Sequence, residues 1–203
     1  MFMSKRIIWI FLALVVLLLA GGFYVLKLKN KPKEVASSAT PAKEAEKNYY
    51  EINDELSGVS FKIGKKFDRM PVQQLQIKNP NFIYGFLAKD DANVSCFISQ
   101  TKRENPGIVK VSQLRDGVFG QLKESNPGAK MEEAGIIDIG ENNNKGAKLK
   151  MSYAEADKNP MIQWEVAGIT DKTATFALCN APKAVLDLYE EDFELFLGSV
   201  RIK

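Results

Sequence analysis

Hydrophobic and polar positions alternate along this chain in two registers, and one stretch alternates in neither. From Ile7 to Leu26 every side chain is uncharged and nearly all are apolar. At a 1.5 Å rise per residue such a run spans roughly 30 Å as a helix, the thickness of a bilayer's hydrocarbon core. A core helix would need a polar face, which this run lacks. A cleavable signal peptide has a shorter apolar region closed by a small-residue site. Ala20, Gly21 and Gly22 imitate such a site, but apolar sequence resumes at Phe23 and continues to Leu26. The pattern predicts a retained transmembrane helix over 7–26, preceded by a basic tail over 1–6. Residues 27–50, rich in Lys, Ala, Ser and Pro, have too few large apolar residues to offset their ordering entropy and read as a flexible tether.

Beyond the tether, period-two alternation takes over. Val59-Ser60-Phe61-Lys62-Ile63 ends at Gly64 as a half-buried strand would. Phe82 to Leu87 and Val94 to Ser99 read as strands joined by a hairpin turn at Lys89-Asp90-Asp91-Ala92-Asn93. Leu114, Val118 and Leu122 form one helical stripe, with Ser112 as its expected cap and Asn126-Pro127-Gly128 as its end. Strands are predicted at Ala134 to Ile139, Ala147 to Ala154, Met161 to Ile169 and Lys172 to Cys179, as an antiparallel meander. A closing helix from Pro182 carries Val185, Leu188 or Tyr189, Phe193 and Phe196 on its inner face, with Gly198 expected to stop it. Residues 51–203 therefore read as one α+β domain, an antiparallel β-sheet with helices packed on its faces.

Charge and composition narrow the chemistry. Of the formal net charge of +3, the first fifty residues carry +5, from eight Lys/Arg against three Glu, and the domain carries −2. A mildly acidic domain argues against nucleic acid as a partner, while the basic membrane flanks suit anionic lipid headgroups. Orientation is contested by the sequence itself. Lys27, Lys29, Lys31 and Lys33 outnumber Lys5 and Arg6, which taken literally favours a cytoplasmic domain. A short basic segment before a long apolar run is also how signal-anchors begin, and long domains translocate largely regardless of charge. The expectation is a cytoplasmic N-terminus and an extracytoplasmic C-terminal domain.

The chain has no histidine, which removes Ser-His-Asp and Cys-His catalysis and His-ligated zinc. Its two cysteines, Cys96 and Cys179, are too few for a Cys-rich metal site. Each falls in a predicted strand, and they either form a disulfide in an oxidising compartment or remain separate buried thiols. Asp90-Asp91 and the Glu190-Glu191-Asp192-Glu194 cluster lack calcium-loop spacing and read as solvated faces. Asn93-Val94-Ser95 matches a glycosylation sequon that matters only in a eukaryotic secretory setting, and Asn142-Asn143-Asn144 reads as a turn. Trp164, Phe82, Tyr84 and Phe86 are candidates for a partner surface, with core packing as the alternative. No catalytic, metal-binding or cofactor-binding residues are identified, and no cofactor is implied.

The order of elements resembles the PsbP/DcrB-like superfamily over about residues 55–203. The resemblance rests on Val59 to Phe67, the mid-domain helix Val111 to Glu124, and the ending Lys172 to Pro182 followed by Phe193 to Ile202. It implies a sheet with helices on its faces and mostly non-enzymatic, protein-binding roles. The chain departs from DcrB-like lipoproteins in lacking a lipobox cysteine, and no histidine stands where photosynthetic relatives have proposed metal ligands. Together these readings give a single-pass, membrane-anchored, non-catalytic interaction module of the cell envelope. The lipid bilayer and an envelope protein are its expected partners, and its oligomeric state is left open. Rival readings are a lipid or small-molecule carrier and a histidine-independent enzyme.

Overall fold

The alternating stretches fold into two antiparallel sheets because each has one apolar face to bury. The computed structural model describes residues 47–104, 107–140, 144–154 and 159–203. The expected membrane helix over 7–26, the tether as far as residue 46 and most of the Asn142-Asn143-Asn144 turn lie outside the described residues. Among the described residues, no helix is long and apolar enough to cross a membrane.

The small sheet has the order β1-β2-β10, with β1 at Tyr49–Asp54, β2 at Val59–Gly64 and β10 at Arg201–Ile202. Its first strand opens at Tyr49, within the stretch assigned to the tether. The β1–β2 turn is held by Asp54 Oδ1, which accepts hydrogen bonds from the backbone N–H of Leu56 at 3.0 Å and of Ser57 at 3.3 Å. Gly58 follows at φ +67°, a conformation that a side chain would strain.

The large sheet has the order β3-β4-β5-β9-β8-β7-β6. Its strands are β3 Phe67–Arg69, β4 Phe82–Ala88, β5 Ser95–Lys102, β6 Lys130–Asp138, β7 Lys145–Tyr153, β8 Met161–Ile169 and β9 Thr173–Pro182. After β5 the chain crosses to the far edge and returns as the meander β6 to β9, so that β9 pairs with β5 from Ser95↔Asn180 to Lys102↔Thr173. Cys96 and Cys179 are register partners in that pairing and are joined with S–S 2.03 Å.

The first face of the large sheet carries the main core. Helix α3, Glu190–Ser199, lays Phe193, Phe196 and Leu197 against it, all fully buried. At about 2–3 kcal/mol per fully buried side chain, these residues anchor the C-terminus. Phe61 of β2 stands edge-on to Phe196 at 5.5 Å and to Tyr84 at 5.0 Å, tying the small sheet to the same core.

Two helices cover the second face. Helix α1, Val72–Lys78, seats Leu75 against Phe97 and Met70 over one end of the sheet. Gly85 of β4 permits this, since a Cβ there would lie 2.2 Å from Leu75 Cδ2. Helix α2, Val111–Ser125, packs Val118 on Ala147, Leu149 and Met151 over the other end. The middle of that face lies between the helices.

Several boundaries differ from the sequence expectation. Helix α2 starts one residue before Ser112, capped at Lys110, whose N–H donates to Gln113 Oε1 at 3.0 Å. Pro182 ends β9 instead of opening a helix, and a 3-10 segment, Lys183–Leu188, precedes α3. In the alternative between Leu188 and Tyr189, Tyr189 is the buried residue. Gly198 does not stop α3, which runs to Ser199, whose Oγ accepts from the Lys62 N–H at 2.8 Å. Strand β6 begins at Lys130 and not at Ala134.

Candidate functional site

Strand alternation decides which side chains reach the uncovered middle of the second face. On β8 it sends Ile162, Trp164 and Val166 into the main core and Gln163 and Glu165 to the opposite side. On β9 it sends Phe176 and Leu178 there, and on β5 Ser99 and Thr101. Val118, Gln121 and Leu122 of α2 wall one side, and Asn79, Asn81 and Phe82 wall the other. The result is an open groove of about 440 Å³, apolar and amide-lined, with Glu165 as the one ionisable side chain in its lining.

Glu165 is 6% exposed. Its register partners are Leu149 on β7 and Leu178 on β9, so it is flanked across the strands by leucines. Burial disfavours the charged form and outweighs the hydrogen bond that favours it, so the carboxyl is pushed up to about 7. That hydrogen bond comes from Gln163 Nε2 to Glu165 Oε2, at 2.7 Å. A carboxylic acid so placed is part ionised at neutral pH, in surroundings where the described residues supply no cation. Asn180 on β9, opposite Gln163, also has a buried side-chain oxygen with no hydrogen-bond donor among the described residues.

The aromatic candidates divide. Tyr84, Phe86 and Trp164 are 6%, 2% and 4% exposed and belong to the main core on the first face, so they form no partner surface. Tyr84 and Phe86 pair with Ile98 and Cys96 but Phe82 pairs with Ser99, because a β-bulge between Phe82 and Tyr84 switches the face. Phe82 is half-buried, stacks on Phe97 at 4.7 Å and borders the groove.

The acidic clusters are tied into the fold. Asp90 accepts a hydrogen bond from the Tyr189 hydroxyl at 2.6 Å, and that bond holds its carboxyl below the usual range. Burial, then the same carboxylate, pushes the Tyr189 phenol up to about 12. Asp91 Oδ1 accepts from the Asn93 backbone N–H at 2.9 Å and closes the hairpin turn. On α3, Glu194 pairs with Lys148 at 2.8 Å, Glu190 with Lys150 at 3.5 Å and Asp192 with Lys66 at 2.9 Å. Lys150 also lies over the Trp164 ring, 4.6 Å from its centroid. These pairs link α3 to β7 and to the β2–β3 turn, while Glu190 and Glu194 stay about half exposed, as a solvated face would. Among the described residues there is no group of three or more potential metal ligands.

The sequence reading missed Glu165. Its signal was a lone acid between Trp164 and Val166 in an otherwise apolar strand. What hid it is that alternation alone does not say which face a helix will cover.

No protein-family profile matches the sequence, and no curated protein is detectably similar to it. Solved structures do match. Cyanobacterial PsbP from Synechocystis aligns at a TM-score of 0.60 and 10% identity, covering 83% of this chain and 99% of that one. The Ran-binding protein Mog1p of Saccharomyces cerevisiae aligns at 0.53 and 6% identity, covering 76% and 95%. LpqN of Mycobacterium tuberculosis, described as involved in cell envelope biogenesis, aligns at 0.52 and 12% identity, covering 76% and 90%. At such identities the likeness concerns the fold, and the fold of this chain is PsbP-like.

Proposed function

We propose that the chain is a single-pass, membrane-anchored, non-catalytic binding domain that engages a protein partner of the cell envelope through the groove between α1 and α2. The observation that carries this reading is the groove floor, where a buried carboxyl lines an open groove and meets no cation among the described residues. Polar groups buried with incomplete partners are costly, and they are tolerated where a ligand completes them. The apolar run Ile7 to Leu26 supports the membrane anchor, and the long domain behind a basic N-terminal tail supports an extracytoplasmic location. The envelope role described for LpqN is a fold-level analogy that agrees with this setting.

The rival readings fit less well. A lipid carrier needs a continuous apolar cavity, whereas Asn79, Asn81, Ser99, Thr101, Gln121 and Gln163 break up this lining. Acid–base catalysis with paired carboxyls needs a second titrating group, and the lining holds one. The test is cross-linking in intact cells of the native chain and of Gln121→Trp. Gln121 is an exposed groove residue, so the indole fills the groove without disturbing the core. The reading expects a specific cross-linked partner that Gln121→Trp reduces at least tenfold at unchanged protein level. An undiminished partner yield would remove the groove from the account.

A further inference from the structure

The groove's polar chemistry is one-sided in charge. We propose that it recognises a lysine side chain of the partner polypeptide, with the Glu165 carboxylate as counter-ion for the ammonium and the groove walls packing the methylene stem. This rests on the groove being the partner-binding site. Glu165 Oε2 is engaged by Gln163 Nε2, at 2.7 Å. A single point charge of opposite sign is what the carboxylate lacks. The floor also carries the hydroxyls of Ser99, 9% exposed, and Thr101, half-buried, on β5 beyond β9. Phe176 and Leu178 on the floor, with Leu122 above, supply apolar surface for four methylenes.

Binding of a cation favours the ionised carboxylate, so it draws the Glu165 proton off. The lysine ammonium, ordinarily near pH 10.4, stays charged between pH 6 and 8. Among the described residues, no other ionisable group of the packed elements intrudes on this balance. On α2, Arg115 is paired with Asp116 at 2.7 Å, and Lys123 lies over the Phe119 ring. Those three residues and Glu124 lie outside the groove lining. On α1, Lys78 lies over the Phe97 ring. On the neighbouring strands the register partners of Glu165 are Leu149 and Leu178. With a carboxyl pushed up to about 7, the ionised fraction rises from about one tenth at pH 6 to about nine tenths at pH 8, so affinity should rise about tenfold.

The experiment uses the full chain in lipid nanodiscs with methyl-labelled leucine, since Leu122 and Leu178 line the groove and Leu188 is exposed outside it. It is titrated with Nα-acetyl-lysine methylamide and with the norleucine analogue, which keeps the stem and lacks the ammonium. Expected are saturable shifts at Leu122 and Leu178 but not Leu188. Binding should be at least tenfold weaker for the norleucine compound, about tenfold weaker at pH 6 than at pH 8, and lost in Glu165→Gln. Equal binding of the two compounds would overturn the lysine inference while leaving a groove-binding partner intact. Lysine binding that is unchanged in Glu165→Gln, or indifferent to pH in the native chain, would overturn it as well. Failure of the Gln121→Trp cross-linking test is a separate result and sinks the groove reading itself.

Discussion

Replacing Glu165 by Gln should make the protein more stable, by an amount that grows as pH rises from about 4.5 and is complete above about 7. The carboxyl is pushed up to about 7 in the folded domain, against 4.5 for an unperturbed glutamate. Between those values the folded state holds a proton that the unfolded state has released, so the native chain loses stability as pH rises from about 4.5 through 7. Above that range the loss is complete. Two and a half units at 1.36 kcal/mol each give a penalty of about 3 kcal/mol at pH 8 and almost none at pH 4.5. The amide of Glu165→Gln has nearly the same shape and can still accept from Gln163 Nε2, so the substitution removes the buried charge without opening a cavity. For a domain of about 150 residues the gain corresponds to roughly 6–12 °C in Tm at pH 8. Thermal unfolding of the native chain and the variant, followed by circular dichroism at pH 5 and pH 8, isolates the term, because other titrating groups cancel in the difference. Equal differences at the two pH values, or a variant less stable at pH 8, would refute the buried ionising carboxyl on which the groove depends.

Three further outcomes follow from the packing. Cys96→Ala/Cys179→Ala should lose about 4.5 kcal/mol in urea unfolding, since the bridge closes a loop with a sequence separation of 83, and unreduced denatured native protein should show no free thiol. Gly85→Ala should cost about 1–3 kcal/mol and loosen α1, because the added methyl meets Leu75 Cδ2; hydrogen exchange over residues 72–78 would report it. Millimolar calcium should leave Tm unchanged, because Glu190, Asp192 and Glu194 are committed to Lys150, Lys66 and Lys148; a clear rise would revive a calcium site on α3.

Much of the domain was legible because its strands bury one face at a time. Val59-Ser60-Phe61-Lys62-Ile63 shows the alternation that its burial later follows, whereas the run from Met161 to Ile169 is buried on both faces from Trp164 to Gly168. The stripe of Leu114, Val118 and Leu122 likewise anticipates the face by which α2 packs. Elements without a periodic signature were not legible. Strand β3 has three residues, β10 has two, and α1 buries only Leu75, so each forms through tertiary pairing more than through its own pattern. Strand β1 is largely exposed and reads like the tether before it. The groove was hidden for a related reason. Its residues come from β4, β5, β8, β9, α2 and the segment that follows α1, and their meeting is set by the crossover after β5, which no local pattern encodes.

The central claim is that a partner occupies the groove, and photo-cross-linking from single positions in intact cells tests it most directly. A photoreactive side chain replacing Asn81, exposed at the groove's rim and not the position blocked by Gln121→Trp, should capture a defined protein. One replacing Leu188, exposed outside the groove, should not. Capture from position 188 with none from 81 would contradict the account.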